Sequence, residues 1–201
     1  MTEIVHIKTY VSDMIAAERE VVAHVEKQLG FEEVKNTPEV KDVLVKLQDV
    51  LYDHILVLEH HLRALGGHPS VSLKSAVADV YGAAAAALQS MLKTRVSKVL
   101  RDDHTALSLV CVEYEMLYLC ARVTGSDATA QIAIKHLRDL TPYPMDLGEL
   151  IPGTVVRELL DLDPTLDASV LDDARGNISS AWRTAAEARQ KMPQAESQTT
   201  S

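Results

Sequence analysis

Acidic and histidine side chains occupy positions where helical patterns in this sequence call for apolar residues. Positions 4, 7, 11, 14, 18, 21 and 25 alternate in spacings of three and four and are apolar except for Glu18. The set 40, 44, 47, 51, 54, 58, 61 and 65 is interrupted by His54 and His61. A set through positions 106, 110, 117 and 120 has Glu113 at its centre. Since a lone carboxylate is costly to bury, we expect these groups to be paired, protonated or bound to a cation.

Counting from the connecting loops places several of these groups at one depth. Glu18 precedes the predicted end of its helix by eleven residues, and His54 lies near the corresponding height of the next helix. Glu113 precedes the end of a later helix by eleven residues, and His136 follows the start of another by about ten. Carboxylates and imidazoles that converge from four helices suit a metal site in a bundle core. The candidate metal ligands are Glu18, His54, Glu113 or Glu115, and His136 or Asp139.

Two alternatives remain open within this set. Glu113 and Glu115 are about 200° apart around a helix, so only one of them can face the interior. His136 and Asp139 lie one turn apart near a helix end, where the alternative to metal binding is a capping role or an interaction with a cation. His61, beside His60, is expected at the boundary of the core.

The periodic segments predict the helices that must position these groups. Helices are expected over 3–29, ended by Gly30, and over 38–65, which Thr37 caps and Pro38 begins. Further helical stretches are expected from Ser70 to about Leu100, from Asp102 or Asp103 to Thr124, and from 127 to 140. Helices joined by short loops pack antiparallel. The predicted fold class is all-α, with a four-helix antiparallel bundle over residues 1–140 and an additional middle helical stretch.

The character of the chain changes after residue 140. The segment TPYPMDLGELIPG has three prolines and two glycines, and we expect no regular helix there. Helices over 154–162 and about 167–189 would then complete a C-terminal helical extension over 141–190, which packs on the bundle or serves assembly. Residues 191–201 are expected to form a disordered tail.

Composition and charge exclude several classes of function. The net charge of −9, without a dense Lys/Arg cluster, argues against nucleic-acid binding. A membrane span is not expected, because no window of about 20 residues is free of charged residues. The N-terminal segment is unlike a secretory signal. Cys111 and Cys120 would be about 13 Å apart along one helix, too far for a disulfide, so a reducing cytoplasmic location is expected. Phosphate-binding loops and the serine hydrolase elbow are absent from the sequence.

Three segments resemble the YciE/YciF-type ferritin-like stress proteins over about residues 4–140. They are YVSDMIAAEREVV around Glu18, LEHHLRALGG at the end of the second helix, and VEYEMLYLCARVTG around Glu115. The resemblance implies a ferritin-like four-helix bundle in which Glu18 and Glu115 are metal ligands and His54 occupies a ligand position. The heptad spacing selects Glu113 instead, and both glutamates stay candidates.

Departures from the ferritin-like pattern shape the functional expectation. A di-iron site needs Glu-x-x-His on two helices, but Leu51 stands three residues before His54, and a later helix has His136-Leu-Arg-Asp139 before Pro142. We therefore expect a non-enzymatic stress-related or assembly module with a degenerate metal site. The alternative is an iron- or manganese-binding protein with storage, detoxification or oxidase activity. The expected partners are a second copy of the chain, as a homodimer, and a protein bound through residues 141–190.

Overall fold

A computed structural model describes residues 2–68 and 95–191, with side chains described over 6–68 and 95–184. Within these ranges the chain is helical and contains no β-strand, which confirms the predicted all-α fold class. The predicted helical stretch from Ser70 lies outside the described residues up to position 94, and the predicted tail lies outside them from position 192.

The first two long helices match the heptad patterns. Helix α1 covers Thr2–Leu29, the short helix α2 covers Glu32–Lys35, and α3 covers Pro38–Ala64. The predicted core positions of α1 from residue 7 onward and of α3 up to residue 61 are buried, Glu18, His54 and His61 included. The hydroxyl of Thr37 donates to the Glu33 carbonyl at 2.9 Å instead of capping α3.

The next two helices are α4, Val96–Val123, and α5, Asp127–Leu140. Helix α4 begins before the predicted cap at Asp102 or Asp103, and Asp103 is instead a buried side chain within the helix. A Schellman motif ends α4: Gly125 has a φ of 69°, and the Ser126 N–H donates to the Ala121 carbonyl at 2.8 Å. The predicted bounds of α5 are confirmed.

Helix α1 runs antiparallel to both α3 and α4. The Lys8 ammonium donates to the Gly66 carbonyl at 3.2 Å, at one end of the α1–α3 pair. Gln28, near the other end of α1, donates to Asp103, near the start of α4, at 2.9 Å. Residue numbers therefore rise along α1 as they fall along each neighbour.

Helix α5 completes the arrangement by packing on α3 and α4. It is antiparallel to α3, because His61 contacts Thr129 near the start of α5 while His54 contacts Asp139 near its end. The four helices thus enclose one apolar core, and α3 and α4 run parallel. The end of α3 and the start of α4 consequently lie at opposite ends of the four helices.

A further helix, α6, covers Pro142–Leu162 and corrects the expectation that this segment is irregular. Pro142 and Pro144 lie in its first turn, where backbone N–H groups have no intrahelical partner and a proline loses nothing. Pro152 is the one interior proline. Two of the three prolines that predict an irregular segment are therefore compatible with a helix.

The chain divides into two compact units between Ile151 and Pro152. The second unit contains the end of α6, a 3₁₀ turn over Ala168–Val170 and helix α7, Leu171–Lys191. The Asp167 carboxylate caps the 3₁₀ turn by accepting from the Ser169 N–H at 2.9 Å. In the described part of the chain, no helix combines the length and apolarity that crossing a membrane requires.

Candidate metal centre

Three potential metal ligands meet in the core of the four helices. Glu18 comes from the middle of α1, His54 from α3 and His136 from α5. One ligand atom from each lies within 4.8 Å of the others, and all three side chains are buried. The heptad positions of Glu18 and His54 force them inward, since apolar neighbours one turn away hold the same helix faces in the core.

The Glu18 carboxylate has one satisfied oxygen and one orphaned oxygen. Its Oε1 accepts from the Tyr114 hydroxyl at 2.7 Å and lies 3.0 Å from Nδ1 of His54. Its Oε2 is buried and has no hydrogen-bond partner among the described residues. Burial raises the pKa of Glu18, while the contacts with His54 and Tyr114 oppose the rise. An unpaired carboxylate oxygen with 0% residue exposure calls for a cation or a proton.

The hydrogen-bond directions fix the tautomer of His136. The single hydroxyl proton of Tyr114 goes to Glu18, so Nδ1–H of His136 donates to the phenol oxygen, 2.9 Å away. Burial, followed by the neighbouring His54, lowers the pKa of His136 to about 3, so its ring is neutral at pH 7. Its Nε2 therefore carries a free lone pair. Metal-binding histidines are commonly held in this way, by donation from their other ring nitrogen.

His54 lies between two carboxylates and against the His136 ring. Its Nδ1 faces Glu18, and its Nε2 lies 3.3 Å from Oδ2 of Asp139, which also accepts from Lys135 at 2.6 Å. Partial burial opposes ionisation of Asp139, but the hydrogen bonds from Lys135 and His54 outweigh it and lower the pKa. Because ionised carboxylates only accept hydrogen bonds, Glu18 and His54 must share a proton that a metal ion could replace.

The two imidazole rings are stacked face to face. Their centroids are 3.7 Å apart and their planes differ by 1°. Ring lone pairs lie in the ring plane, so one ion cannot bind both rings in this parallel arrangement. Joint coordination therefore requires one ring to rotate.

The structure corrects the carboxylate predicted on α4. Tyr114 occupies the inward position between Glu113 and Glu115, and neither glutamate joins the cluster. Glu113 is half-buried, and burial and the proximity of Asp13 raise its pKa. Glu115 is exposed. The ligand role that the family resemblance implied for Glu115 therefore has no geometric support.

Helix α4 follows a different phase of the pattern from the one that predicted Glu113 as the inward residue. From residue 100 onward the buried positions are 100, 103, 107, 110, 114, 117 and 121, and the predicted set shares only 110 and 117 with them. Both sets alternate spacings of three and four. Leu107 and Ala121, each fully buried, were the signal that would have placed Tyr114 inside.

His136 and Asp139 are both brought to the site, in different roles. His136 is a buried member of the cluster, whereas Asp139 is partly exposed and contacts only the outer nitrogen of His54. His61 belongs to another level: it is buried and hydrogen-bonds the Thr129 hydroxyl at 2.8 Å. It is a hydrogen-bonded core histidine. Burial and the nearby His60 lower the pKa of His61.

Comparison with known proteins shows similarity at the level of the fold. No protein-family model matches the chain, and no curated protein matches it. A crystal structure of a protein from Xanthomonas campestris pv. campestris str. ATCC 33913 is similar, with a TM-score of 0.61 and 19% sequence identity. The match covers 80% of this chain and 100% of that one. At this identity the similarity concerns the fold alone.

Proposed function

We propose that this protein binds a single divalent transition-metal ion through Glu18, His54 and His136, in a non-enzymatic role. The observation that carries the proposal is the fully buried Oε2 of Glu18, which has no partner in the described ranges and belongs to a carboxylate that clusters with two imidazoles. An ion there would replace the proton shared by Glu18 and His54 and would satisfy the orphaned oxygen. Rotation of one of the two stacked imidazole rings would let His136 join the same ion. Two imidazoles and one carboxylate suit iron, manganese or zinc.

The donor set supports one metal ion better than two. A di-metal centre needs bridging carboxylates, yet among the residues that the structure describes, Glu18 supplies the one carboxylate in the cluster. Leu51, three residues before His54, is fully buried where a carboxylate ligand would be required. The site is thus a reduced form of the ferritin-like arrangement.

A ferritin-like fold is part of the proposal. Two antiparallel pairs, α1–α3 and α4–α5, with α3 parallel to α4, demand one long connection between the pairs, as in ferritin-like bundles. The resemblance to the YciE/YciF-type family supports the same assignment through Glu18 and His54, but not through Glu115.

Burial of the centre favours binding over turnover. Glu18, His54 and His136 are each at most 2% exposed, so a substrate has no direct access to them. We infer that the ion stabilises or regulates the protein by linking α1, α3 and α5. A role in stress protection, in which the bound ion regulates the protein, or a role in assembly agrees with this arrangement.

Asp139 supports a second candidate, an iron- or manganese-dependent storage or oxidase protein. Its carboxylate lies beside His54, and its side chain is 36% exposed. It would give the centre a second carboxylate and a route to solvent. Two bound metal ions per chain, or oxygen consumption on addition of Fe(II), would favour this candidate.

Metal analysis of the full-length protein tests the proposal. The protein is equilibrated anaerobically with Fe(II), Mn(II) or Zn(II), separated from free metal and measured by elemental analysis. We expect about one ion per chain for at least one metal, and loss of affinity of more than about 100-fold in Glu18→Gln, which keeps the shape but removes a charged ligand. Glu113→Gln, on the same bundle but outside the cluster, is the matched control and should bind as the wild type does.

Two results would contradict single-site binding at this cluster. One is the absence of stoichiometric metal from folded wild-type protein with all three ions. The other is equal affinity in the wild type and Glu18→Gln, with helicity unchanged by circular dichroism.

A further inference from the structure

The face of α4 opposite the core carries an apolar stripe. Leu109, Val112, Met116, Leu119 and Val123 form this outer stripe, at spacings of three, four, three and four. All five are exposed, Leu119 at 61% and Val123 at 88%. The stripe lies about 200° around the helix from the buried positions. Single exposed apolar residues are ordinary, but this spacing is the one by which two helices pack together.

We propose that the outer stripe of α4 binds the outer stripe of a second copy of this chain, with the two α4 helices antiparallel. A twofold axis makes such a contact self-complementary, since each copy supplies the same surface. In the register that we favour, Met116 of one copy packs against Leu119 of the other, and Val112 packs against Val123. The twofold axis repeats each pair.

Charge complementarity selects this register and this occupant. Glu115 and Arg122 are exposed beside the outer stripe, seven residues apart on the same edge. With Met116 opposite Leu119, each Glu115 lies beside the Arg122 of the other copy, so two opposite-charge pairs flank the apolar layers. A register centred on Met116 would instead bring the two Glu115 side chains together, which is unfavourable.

The outer face of α3 supplies an internal control. Val45, Tyr52 and Leu56 are exposed there, but Asp49 interrupts the apolar spacing and Tyr52 hydrogen-bonds Glu26 of α1. This face lacks a continuous stripe flanked by opposite charges. A substitution at Leu56 thus changes a leucine that is about as exposed as Leu119 but lies outside the proposed interface.

Sedimentation equilibrium on the full-length protein, over about 1–100 µM, tests the interface. We expect a dimer. Glu115→Arg or Arg122→Glu alone turns both flanking pairs repulsive and should raise the dissociation constant about tenfold. The double variant Glu115→Arg/Arg122→Glu restores opposite charges and should return the constant to within about twofold of the wild type. Leu119→Glu should give a monomer, and Leu56→Glu should remain dimeric.

Three outcomes would overturn the proposal. A wild-type monomer at every concentration would show that the chain's own remaining residues cover the stripe. A dimer that survives Leu119→Glu would place the interface elsewhere. Failure of the charge exchange to rescue the two single variants would exclude the antiparallel register. Because Leu119 is exposed, Leu119→Glu should fold normally, and circular dichroism checks this.

Discussion

Tyr114 determines where the protons of Glu18 and His136 lie, although it offers no strong metal ligand itself. Its hydroxyl donates to Glu18 and accepts from His136, so one phenol fixes both the carboxylate and the imidazole tautomer. Burial and the Glu18 carboxylate raise the pKa of Tyr114 well above its usual value, so the phenol stays protonated. The hydroxyl is therefore available as a donor at neutral pH.

Replacement of this hydroxyl should weaken both the fold and the metal site. We expect Tyr114→Phe to lower the free energy of unfolding by about 1–3 kcal/mol, because two buried polar atoms lose a partner. Metal affinity should fall about 10–100-fold, since Glu18 and His136 lose their orientation. Urea unfolding and metal titration measure the two effects. The control Tyr118→Phe removes a hydroxyl from the same helix outside the cluster and should leave metal affinity unchanged; equal affinities in all three proteins would refute the positioning role.

Helices α1 and α3 were predictable from sequence because each has only one continuous apolar face. Helix α4 was not, because Leu109, Val112 and Met116 on its outer stripe compete with the core positions for the same periodicity. The inward carboxylate was then assigned to Glu113 instead of the phenol one residue later. The level shared by Glu18 and His54 was predicted correctly, since loop-to-loop counting does not depend on the phase of α4.

A second buried pair joins the end of α1 to the start of α4. Gln28 donates to Oδ1 of Asp103, while Oε1 of Gln28 and Oδ2 of Asp103 are buried without a partner among the described residues. A proton on Oδ2 would let Asp103 donate to Gln28 and satisfy both orphaned atoms. Burial, with the Gln28 hydrogen bond opposing it and Asp102 adding to it, raises the pKa of Asp103 to about 7.

This acid–amide pair should make the protein more stable as the pH falls from 7 towards 4. The folded state holds the Asp103 proton up to about pH 7, whereas an unfolded aspartate releases it near 4, so folding takes up a proton between these values. The contribution is fully present below the unfolded pKa and is lost as the pH rises through the folded pKa, by up to about 1.4 kcal/mol per pH unit. Asp103→Asn can make both hydrogen bonds with Gln28 and has no titratable proton.

The difference in unfolding free energy between Asp103→Asn and wild type isolates this group from the other acids. Urea titrations at pH 5, 6, 7 and 8 should show the variant gaining on the wild type as the pH rises, with the gain levelling off above about pH 7. A difference that does not change with pH would show that Asp103 is ionised in the folded protein, and the paired-proton arrangement would then be wrong.

Across the whole molecule, the proposed metal centre and the proposed dimer contact use opposite faces of the helices. The ion would join α1, α3 and α5 from inside, whereas the outer stripe belongs to α4 alone. The sequence predicted a polar layer and a homodimer but not the helix faces that each would use, because neither prediction reveals which side of α4 faces inward. The metal centre and the dimer contact can therefore act independently, because they lie on different faces of the helices.

This independence predicts how metal changes thermal stability. An ion that binds only the folded protein stabilises it by about 2.7 kcal/mol at a free concentration 100 times its dissociation constant, which should raise the melting temperature by several degrees. Glu18→Gln should show no such rise under the same conditions. Leu119→Glu should show the wild-type rise from a lower starting temperature, because it loses the dimer contact and keeps the centre. Calorimetry at one fixed protein concentration measures all three proteins.

A metal effect that disappears in Leu119→Glu would mean that the centre depends on assembly. The substituted side chain lies on the exposed face of α4, and α4 supplies none of the three ligands.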